Sequence, residues 1–462
     1  MTPAPTSSHA TETTQVPRAP AKVRIWQMTT TEWLICGVAC LGFAFDTYTL
    51  LVLTLIVRPS LTEMLPASAG PAVFNQWVGI LFYIPAIAGG VFGLLGGYLI
   101  DLLGRRRILM WSILLYGAST FATAYVTSPG QFLLLRCGTF IGVSVEFVAA
   151  TAWLAELFTR REQREAIIGY TQAFASTGGL LISAAYYLAV TYSQRLPLIH
   201  GGHEAWRYTA MSGLIPAIPL IVLRPFLPES PLWKRKKAEG TLKRPSFGEL
   251  FRPTFRKTAL ITCLMMACSY AGSFGMLQHF ARIIPGTPSV RVLPVAAQEQ
   301  RVGALQGVQE MGGLAGRFLM ALLAVHILSR RRLLRLFQLP ALIVIPLVMF
   351  LPAMRDRDMS AVGIFALGLL TVAQFSYWGN YLPLVYPTYL RGTGEAFAAN
   401  IGGRMLGTSA ALLVTSIVQF MPGGTASRQL GYAAGIVGLL SYVMGFVASF
   451  WLPEPSLEAT PD

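Results

Sequence analysis

Charge is scarce in this chain. Of its 462 residues only 12% are Asp, Glu, Lys or Arg, about half the share with which a globular domain wets its surface, and this excludes most soluble folds. Acids are scarcer than bases, 21 against 36. The five cysteines, Cys36, Cys40, Cys137, Cys263 and Cys268, all fall inside apolar runs, so neither a disulfide framework nor a metal-ligand spacing is visible. There is no G-x-x-x-x-G-K-[ST] phosphate loop, which argues against ATP as the energy source. No nucleophile, metal cluster or acid–base pair stands outside the apolar runs, which disfavours an enzyme. The first thirty residues, rich in Thr, Pro, Ala and Ser, hold no apolar run that could act as a signal peptide and read as a disordered tail.

What the chain has in quantity is apolar sequence, 54% of the whole, in blocks of the roughly 20 residues that a helix needs to cross a bilayer. Twelve spans are predicted: 31–57, 74–100, 108–127, 130–157, 165–192, 206–227, 256–283, 296–325, 333–352, 360–386, 395–421 and 428–452. The stretch 256–325 is the least regular, because Pro285, Gly286 and Pro288 interrupt it. A net charge of +15 would suggest nucleic acid in a soluble protein. In a membrane chain it reports topology. With the N-terminus inside, 23 of the 36 basic residues lie in the inner segments, which predicts both termini in the cytoplasm and no nucleic-acid partner.

The chain also repeats itself. Leu103-Gly104-Arg105-Arg106-Arg107 returns as Leu328-Ser329-Arg330-Arg331-Arg332, and Leu227-Pro228-Glu229 returns as Leu452-Pro453-Glu454, both at an offset of 225 residues. Two copies of a six-helix unit joined by the basic segment 228–255 account for this. The expected organisation is a cytoplasmic tail (1–30), two six-helix bundles (31–227 and 256–453), the cytoplasmic linker between them, and a short cytoplasmic tail (454–462).

These segments resemble a known superfamily. Gly97-Tyr98-Leu99-Ile100-Asp101-Leu102-Leu103-Gly104-Arg105-Arg106-Arg107 is similar to the G-x-x-x-D-R-x-G-R-R signature between helices two and three of major facilitator transporters, with Leu102 in place of the usual Arg. Pro228-Glu229-Ser230-Pro231 resembles the motif after helix six of sugar porters and organic-ion transporters. Glu156 with Arg164 resembles the conserved pair after helix four, and Tyr386 to Gly394, with Arg391, the end of helix ten in organic-acid symporters. The resemblance implies an all-α membrane protein of the major facilitator fold, working as a monomer in a plasma or bacterial inner membrane. Its partners would be lipid, protons and a small-molecule substrate; no cofactor beyond the coupling proton is implied. Asp101 among the arginines reads either as a latch that holds one packing of the helices or as a plain topology anchor.

An ionised side chain at mid-bilayer costs about 2.5–3.5 kcal/mol on insertion scales, so each one nominates a site. Counting at 1.5 Å per residue places Asp46, Glu146, Arg317 and Arg404 near the midplane and Arg136 higher. Phe45-Asp46-Thr47 resembles the helix-one motif of sugar porters and aromatic-acid:proton symporters, in which Arg136 would pair with Asp46 and protonation would break the pair. Glu146 resembles the helix-four glutamate of metabolite:proton symporters and is the reserve proton carrier. It could equally be satisfied by the hydroxyls of Ser144 and Thr151. Arg317 follows Glu310 by seven residues on one face of helix eight, either as a carboxylate clamp or as the partner of that glutamate. Asn400-Ile401-Gly402-Gly403-Arg404 resembles the G-x-G-R segment of organic-acid symporters, where a guanidinium can hold a carboxylate by two hydrogen bonds. Gln374, Phe375, Tyr377, Trp378, Asn380 and Tyr381 of helix ten, with Gln172 and Gln278, could line a pocket for a ring or a sugar. Helix seven reads Ala271-Gly272-Ser273-Phe274-Gly275-Met276-Leu277-Gln278-His279 and lacks the Q-Q-x-S-G-I-N run of sugar porters; His279 is expected in a solvated loop.

The expected function is a proton-coupled symporter of a small polar solute, an organic acid before a sugar, with sugar symport or facilitation and drug efflux as the alternatives. If Asp101 is a latch, Asp101→Asn slows transport without changing the amount inserted in the membrane; unchanged uptake rates would leave it a topology anchor.

Overall fold

The computed structural model describes residues 28–158, 161–240, 247–327, 329–387 and 390–455. The side chains of Gly97, Asp101 and Arg164 lie outside the described set. Among the described residues there is no strand, only helices joined by short connections. The first six crossings are α1 (Thr30–Met64), α2 (Pro71–Leu103), α3 (Arg105–Ala122), α4 (Pro129–Leu157), α5 (Arg161–Ala173 continued by Ser176–Tyr192) and α6 (Ala205–Met211 continued by Leu214–Leu223). A short helix, Pro231–Ala238, then runs along the face where α1 begins, which we call the basic face. The second six are α7 (Pro253–Phe274), α8 (Val295–His326), α9 (Arg330–Ile345, prolonged to Arg355), α10 (Ala361–Val385), α11 (Arg391–Phe397, a π-helical stretch Ala398–Gly407, then Ala410–Ile417) and α12 (Ala426–Ala448).

Among the described residues, eleven helices are long and apolar enough to cross a membrane on length and composition alone. The twelfth, α8, has the length, 32 residues, but carries Gln298, Glu299, Arg301, Gln306, Gln309, Glu310 and Arg317. A helix this polar is tolerated in a membrane only where its polar face meets other helices, and α8 packs along both α10 and α5. Close approach depends on missing side chains. A Cβ on Gly178 of α5 would stand 1.8 Å from the Ala44 carbonyl oxygen of α1, and one on Gly402 of α11 would stand 2.2 Å from the Cys263 carbonyl of α7. The irregularity at Pro285–Pro288 separates α7 from α8: after α7 the chain makes short turns through Phe280–Ile283 and Ile284–Gly286. His279 lies among these turns, yet it is fully buried; the turns fold back into the bundle, so the expectation of a solvated loop is corrected.

The 225-residue repeat has a physical meaning. Helix α3 begins at Arg105, and the backbone N–H groups of Arg105 and Arg106, which have no partner within the helix, donate to the Glu229 carboxylate at 3.1 Å each. Helix α9 begins at Arg330, and the N–H groups of Arg330 and Arg331 donate to Glu454 at 3.0 Å each. A carboxylate at a helix N-terminus meets both unpaired N–H groups and the positive end of the dipole. The residue preceding each acid is held too: the Pro228 carbonyl accepts from Trp153 Nε1 (3.0 Å) and the Pro453 carbonyl from Tyr381 Oη (2.6 Å). Gly104 caps α3 at φ +96°, and a Cβ there would lie 2.7 Å from Glu229 Oε2, so the signature glycine makes room for the acid. Arg105 also donates to Glu156 at 2.7 Å, and Arg106 to the Leu227 carbonyl at 3.4 Å. Of the expected Glu156–Arg164 pair, Glu156 is thus met by Arg105 at the end of α4, while the side chain of Arg164 lies outside the described residues.

Glu229→Gln is expected to lower thermal stability in detergent by about 1 kcal/mol, the upper part of the range for exposed helix-end charges. Glu454→Gln, at a more exposed cap, should cost less. Equal losses would mean that burial does not set the strength of these caps.

Candidate functional site

The charges nominated for the midplane do converge, in a different pairing. Asp46 on α1 and Glu146 on α4 are both buried and their carboxyls face each other, with Arg224 and Arg404 as the cations acting on Asp46. Neither oxygen of Asp46 accepts a hydrogen bond. Glu146 has its own cation, because Arg224 from the end of α6 donates to it while also donating to the Leu109 carbonyl at 3.0 Å. That reach crosses α1 at Gly42, where a Cβ would lie 2.6 Å from the Arg224 guanidinium. Ser144 and Thr151 do not satisfy Glu146. Thr151 donates instead to the carbonyls of its own helix at Phe147 and Val148. Arg224 could have been suspected from sequence as a cation inside an apolar run, but nothing in the sequence pointed it at α4.

Arg136 is not the partner of Asp46. Its two terminal nitrogens donate to the Thr49 and Leu50 carbonyls of α1, both at 2.7 Å, and its guanidinium lies 4.7 Å from the Phe140 ring centre. Those carbonyls are about one turn beyond Asp46, so the arginine pins the α1 backbone and leaves the carboxylate alone.

On the other half, Arg404 sits in the π-helical part of α11, with Asn400 four residues before it on the same side: Nη1 donates to Asn400 Oδ1 at 2.6 Å. The guanidinium lies 5.3 Å from the centre of the Phe147 ring of α4 and acts electrostatically with Asp46. Arg317 donates to the Gln172 backbone carbonyl of α5 at 2.6 Å and lies 5.8 Å from the Phe375 ring centre. Glu310 takes its hydrogen bonds from Gln306 (2.9 Å) and Gln309 (3.0 Å) rather than from Arg317. It packs against Gly179 of α5, where a Cβ would be 2.2 Å from its oxygen. The two residues thus share a helix face but are held by different neighbours.

The amide and aromatic groups nominated as pocket lining are mostly engaged inside the protein. Gln374 accepts from Ser269 (3.1 Å), and Trp378 Nε1 donates to that same hydroxyl (2.8 Å). Tyr377 stacks on Tyr381 at 5.3 Å. Asn380 donates to the Ser376 carbonyl at 3.2 Å, and the Gln172 amide packs against Gly379. Gln278 accepts from Thr54 at 2.6 Å, which ties α7 to α1 on the side away from the basic face. Two further ties close that side: Arg58 of α1 and Tyr186 of α5 both donate to Glu299 of α8, and Arg282 donates to Asn75 of α2. Arg58 and Glu299 stand near helix ends, where charge is common, so the sequence gave no reason to single them out. Arg391 opens α11 at the basic face, four residues before Glu395.

A family model described as Major Facilitator Superfamily matches residues 34–412. The chain is 25% identical over 392 residues, 83% of its length and 85% of the relative's, to the "Probable 4-methylmuconolactone transporter" of Cupriavidus pinatubonensis. It is 24% identical over 372 residues, 79% of its length and 82% of the relative's, to the cis,cis-muconate transport protein of Acinetobacter baylyi. Among solved structures, a D-xylose-proton symporter superposes with a TM-score of 0.68 at 21% identity, covering 92% of this chain and 99% of that one. The xylose transporter of E. coli in a partially occluded inward-open conformation gives 0.67 at 17% identity, covering 90% and 97%. At such identities the structural likeness shows the fold.

Arg136→Gln removes two charge-assisted bonds to α1, each worth about 1.5–3 kcal/mol, and should lower thermal stability measurably while transport per folded molecule persists. Loss of accumulation with unchanged stability would restore Arg136 as the partner of Asp46.

Proposed function

This chain belongs to the major facilitator superfamily, and on that premise we propose that it is a proton-coupled symporter of a small organic acid. It is a multi-pass membrane transporter and not an enzyme. The observation that carries the reading is the position of Arg404, buried between Asp46 and the Phe147 ring. A guanidinium in this setting, held only by Asn400, has donors left over for an anion. When Asp46 is ionised it is that anion. When Asp46 carries a proton, Arg404 is left for a substrate carboxylate, which it can hold by two parallel hydrogen bonds. One arginine shared between a protein carboxyl and a substrate carboxyl couples proton to solute, because each state of Asp46 favours a different occupant and so a different packing of the halves. Glu146, neutralised by Arg224, stands beside Asp46 as the neighbour through which the proton can pass.

An acid is favoured over a sugar because the amides that would bind hydroxyls, Gln278, Gln374 and Asn380, already have protein partners. The muconate and muconolactone relatives agree with this choice. We further propose that both termini are cytoplasmic, that the membrane is a bacterial inner membrane, that the protein acts as a monomer, and that the only coupling species is the proton.

The test is uptake into proteoliposomes under an imposed inward proton gradient, with benzoate, cis,cis-muconate and xylose as solutes. Carboxylates should accumulate and xylose should not. Asp46→Asn should exchange substrate across the membrane without accumulating it, and Arg404→Lys should raise KM by about 10-fold or more, the equivalent of one charged hydrogen bond. Accumulation by the Asp46→Asn protein, or xylose uptake that no carboxylate inhibits, would overturn the reading.

A further inference from the structure

Between Arg404 and Arg317 lies a residue that neither motif nor charge singles out. Tyr270, on α7, sets its ring into the notch of α11 beside Arg404: its Cε2 is 2.8 Å from where a Cβ of Gly403 would be, and its own Cβ is 2.3 Å from where that of Gly407 would be. Any side chain at these glycines would expel the ring. Tyr270 stacks on Phe274 at 5.9 Å and 17°, and meets Phe375 edge-on at 5.0 Å and 85°. Phe375 is the ring over which Arg317 lies. The phenol oxygen lies near enough to both Arg317 and Arg404 that a charge on it would act on each. The guanidiniums of α8 and α11 are thus linked through one tyrosine of α7.

The surfaces around this link are ring surfaces. Phe147 under Arg404, Tyr270 in the middle and Phe375 under Arg317 are each only half-buried, although the charged groups they flank are buried. Arg317 keeps its Nε without a partner, so a donor remains at the far end of the wall from Arg404. A wall of aromatic faces ending in guanidiniums offers an anion site at its end and a slot for a flat body along its length.

We propose that Tyr270 is a specificity-determining residue of this site, joining Arg404 and Arg317 into one anion-binding arch that selects a carboxylate borne on a flat, unsaturated carbon body over a saturated carboxylate of similar size. The proposal rests on the organic-acid reading above. The hydroxyl and the ring have separable duties: the hydroxyl supplies a hydrogen bond to the bound carboxylate, and the ring face discriminates the shape of the body. A saturated ring, puckered and bearing axial hydrogens, holds its carbons farther from a phenol face than a planar ring does and makes fewer close contacts in a flat slot.

The experiment compares benzoate with cyclohexanecarboxylate, which carry the same charge on six-carbon rings, as inhibitors of benzoate exchange by the full-length protein in proteoliposomes. The intact protein should prefer benzoate by about threefold to tenfold, the range of a single aromatic pair. Tyr270→Phe should weaken both inhibitors by a similar factor and keep the preference. Tyr270→Leu should abolish the preference while both still inhibit. A Tyr270→Leu protein with reduced turnover but an unchanged inhibitor ratio would mean that the tyrosine only packs, and the proposal would fall. If Tyr270→Leu does not fold, the other two proteins decide: equal inhibition of the intact protein by both acids, or unaltered affinities in Tyr270→Phe, overturns it. Inhibition by neither acid would overturn the organic-acid reading and this inference together, whereas equal inhibition by both overturns this inference alone.

Discussion

A guanidinium placed inside a bilayer has five N–H donors that water cannot reach, and each arginine buried in this bundle meets that demand in its own way. Arg136 and Arg207 each donate two bonds to backbone carbonyls, of α1 and of the connection between α3 and α4, and Arg207 a third to Glu63. Arg224 divides itself between a carbonyl and Glu146. Arg317 holds the Gln172 carbonyl. Arg404 alone of these is anchored by a neutral side chain of its own helix, Asn400, with a carboxylate that has no other donor standing opposite. The difference matters because carbonyl-bound arginines are fixed by the fold, whereas an arginine facing a carboxyl can change partner when that carboxyl takes a proton. The architecture of the centre follows from where each guanidinium finds its acceptors.

The same constraint explains the helices themselves. Because lipid supplies no hydrogen bonds, polar residues are tolerated where helices press together, and pressing together requires small residues at the contacts. Gly178 lets α5 close on α1, and Gly402, Gly403 and Gly407 let α7 close on α11. Helix α8, the most polar of the spans read from the sequence, is stable because its amides and carboxylates face α5 and α10. Asn400 and Arg404 meet within the π-helical stretch of α11, and widened turns of this kind are frequent at functional sites.

At the two ends of the molecule different chemistry prevails. The basic face is organised by two carboxylates, Glu229 and Glu454, seated on the N-termini of α3 and α9, and the two copies of this arrangement are related by the sequence repeat. The opposite face is closed by side chains from both halves: Glu299 with Arg58 and Tyr186, Gln278 with Thr54, and Arg282 with Asn75. These contacts have no counterpart in the repeat, since they join one half to the other and each residue has a different partner from its relative 225 positions away.

The amino-acid sequence by itself determined the membrane class, the positions of the twelve crossings, the duplication and the presence of charges at mid-depth. Each of these is written in one dimension, as the length of an apolar run, as an offset, or as a count along a helix. The partners of those charges are another matter. Arg136 was expected on Asp46 from the resemblance to sugar porters, but depth along a helix says nothing about azimuth, and the arginine turns to the α1 backbone. Arg224, near the end of α6, reaches Glu146 only because Gly42 leaves a gap in α1. Gln374 and Trp378 read as pocket lining until Ser269 of a neighbouring helix is seen between them. Tyr270 is invisible in the sequence because an aromatic residue in an apolar helix carries no mark of its neighbours. Which helix stands beside which, and how each is rotated about its axis, is decided only when the glycines have let the helices touch.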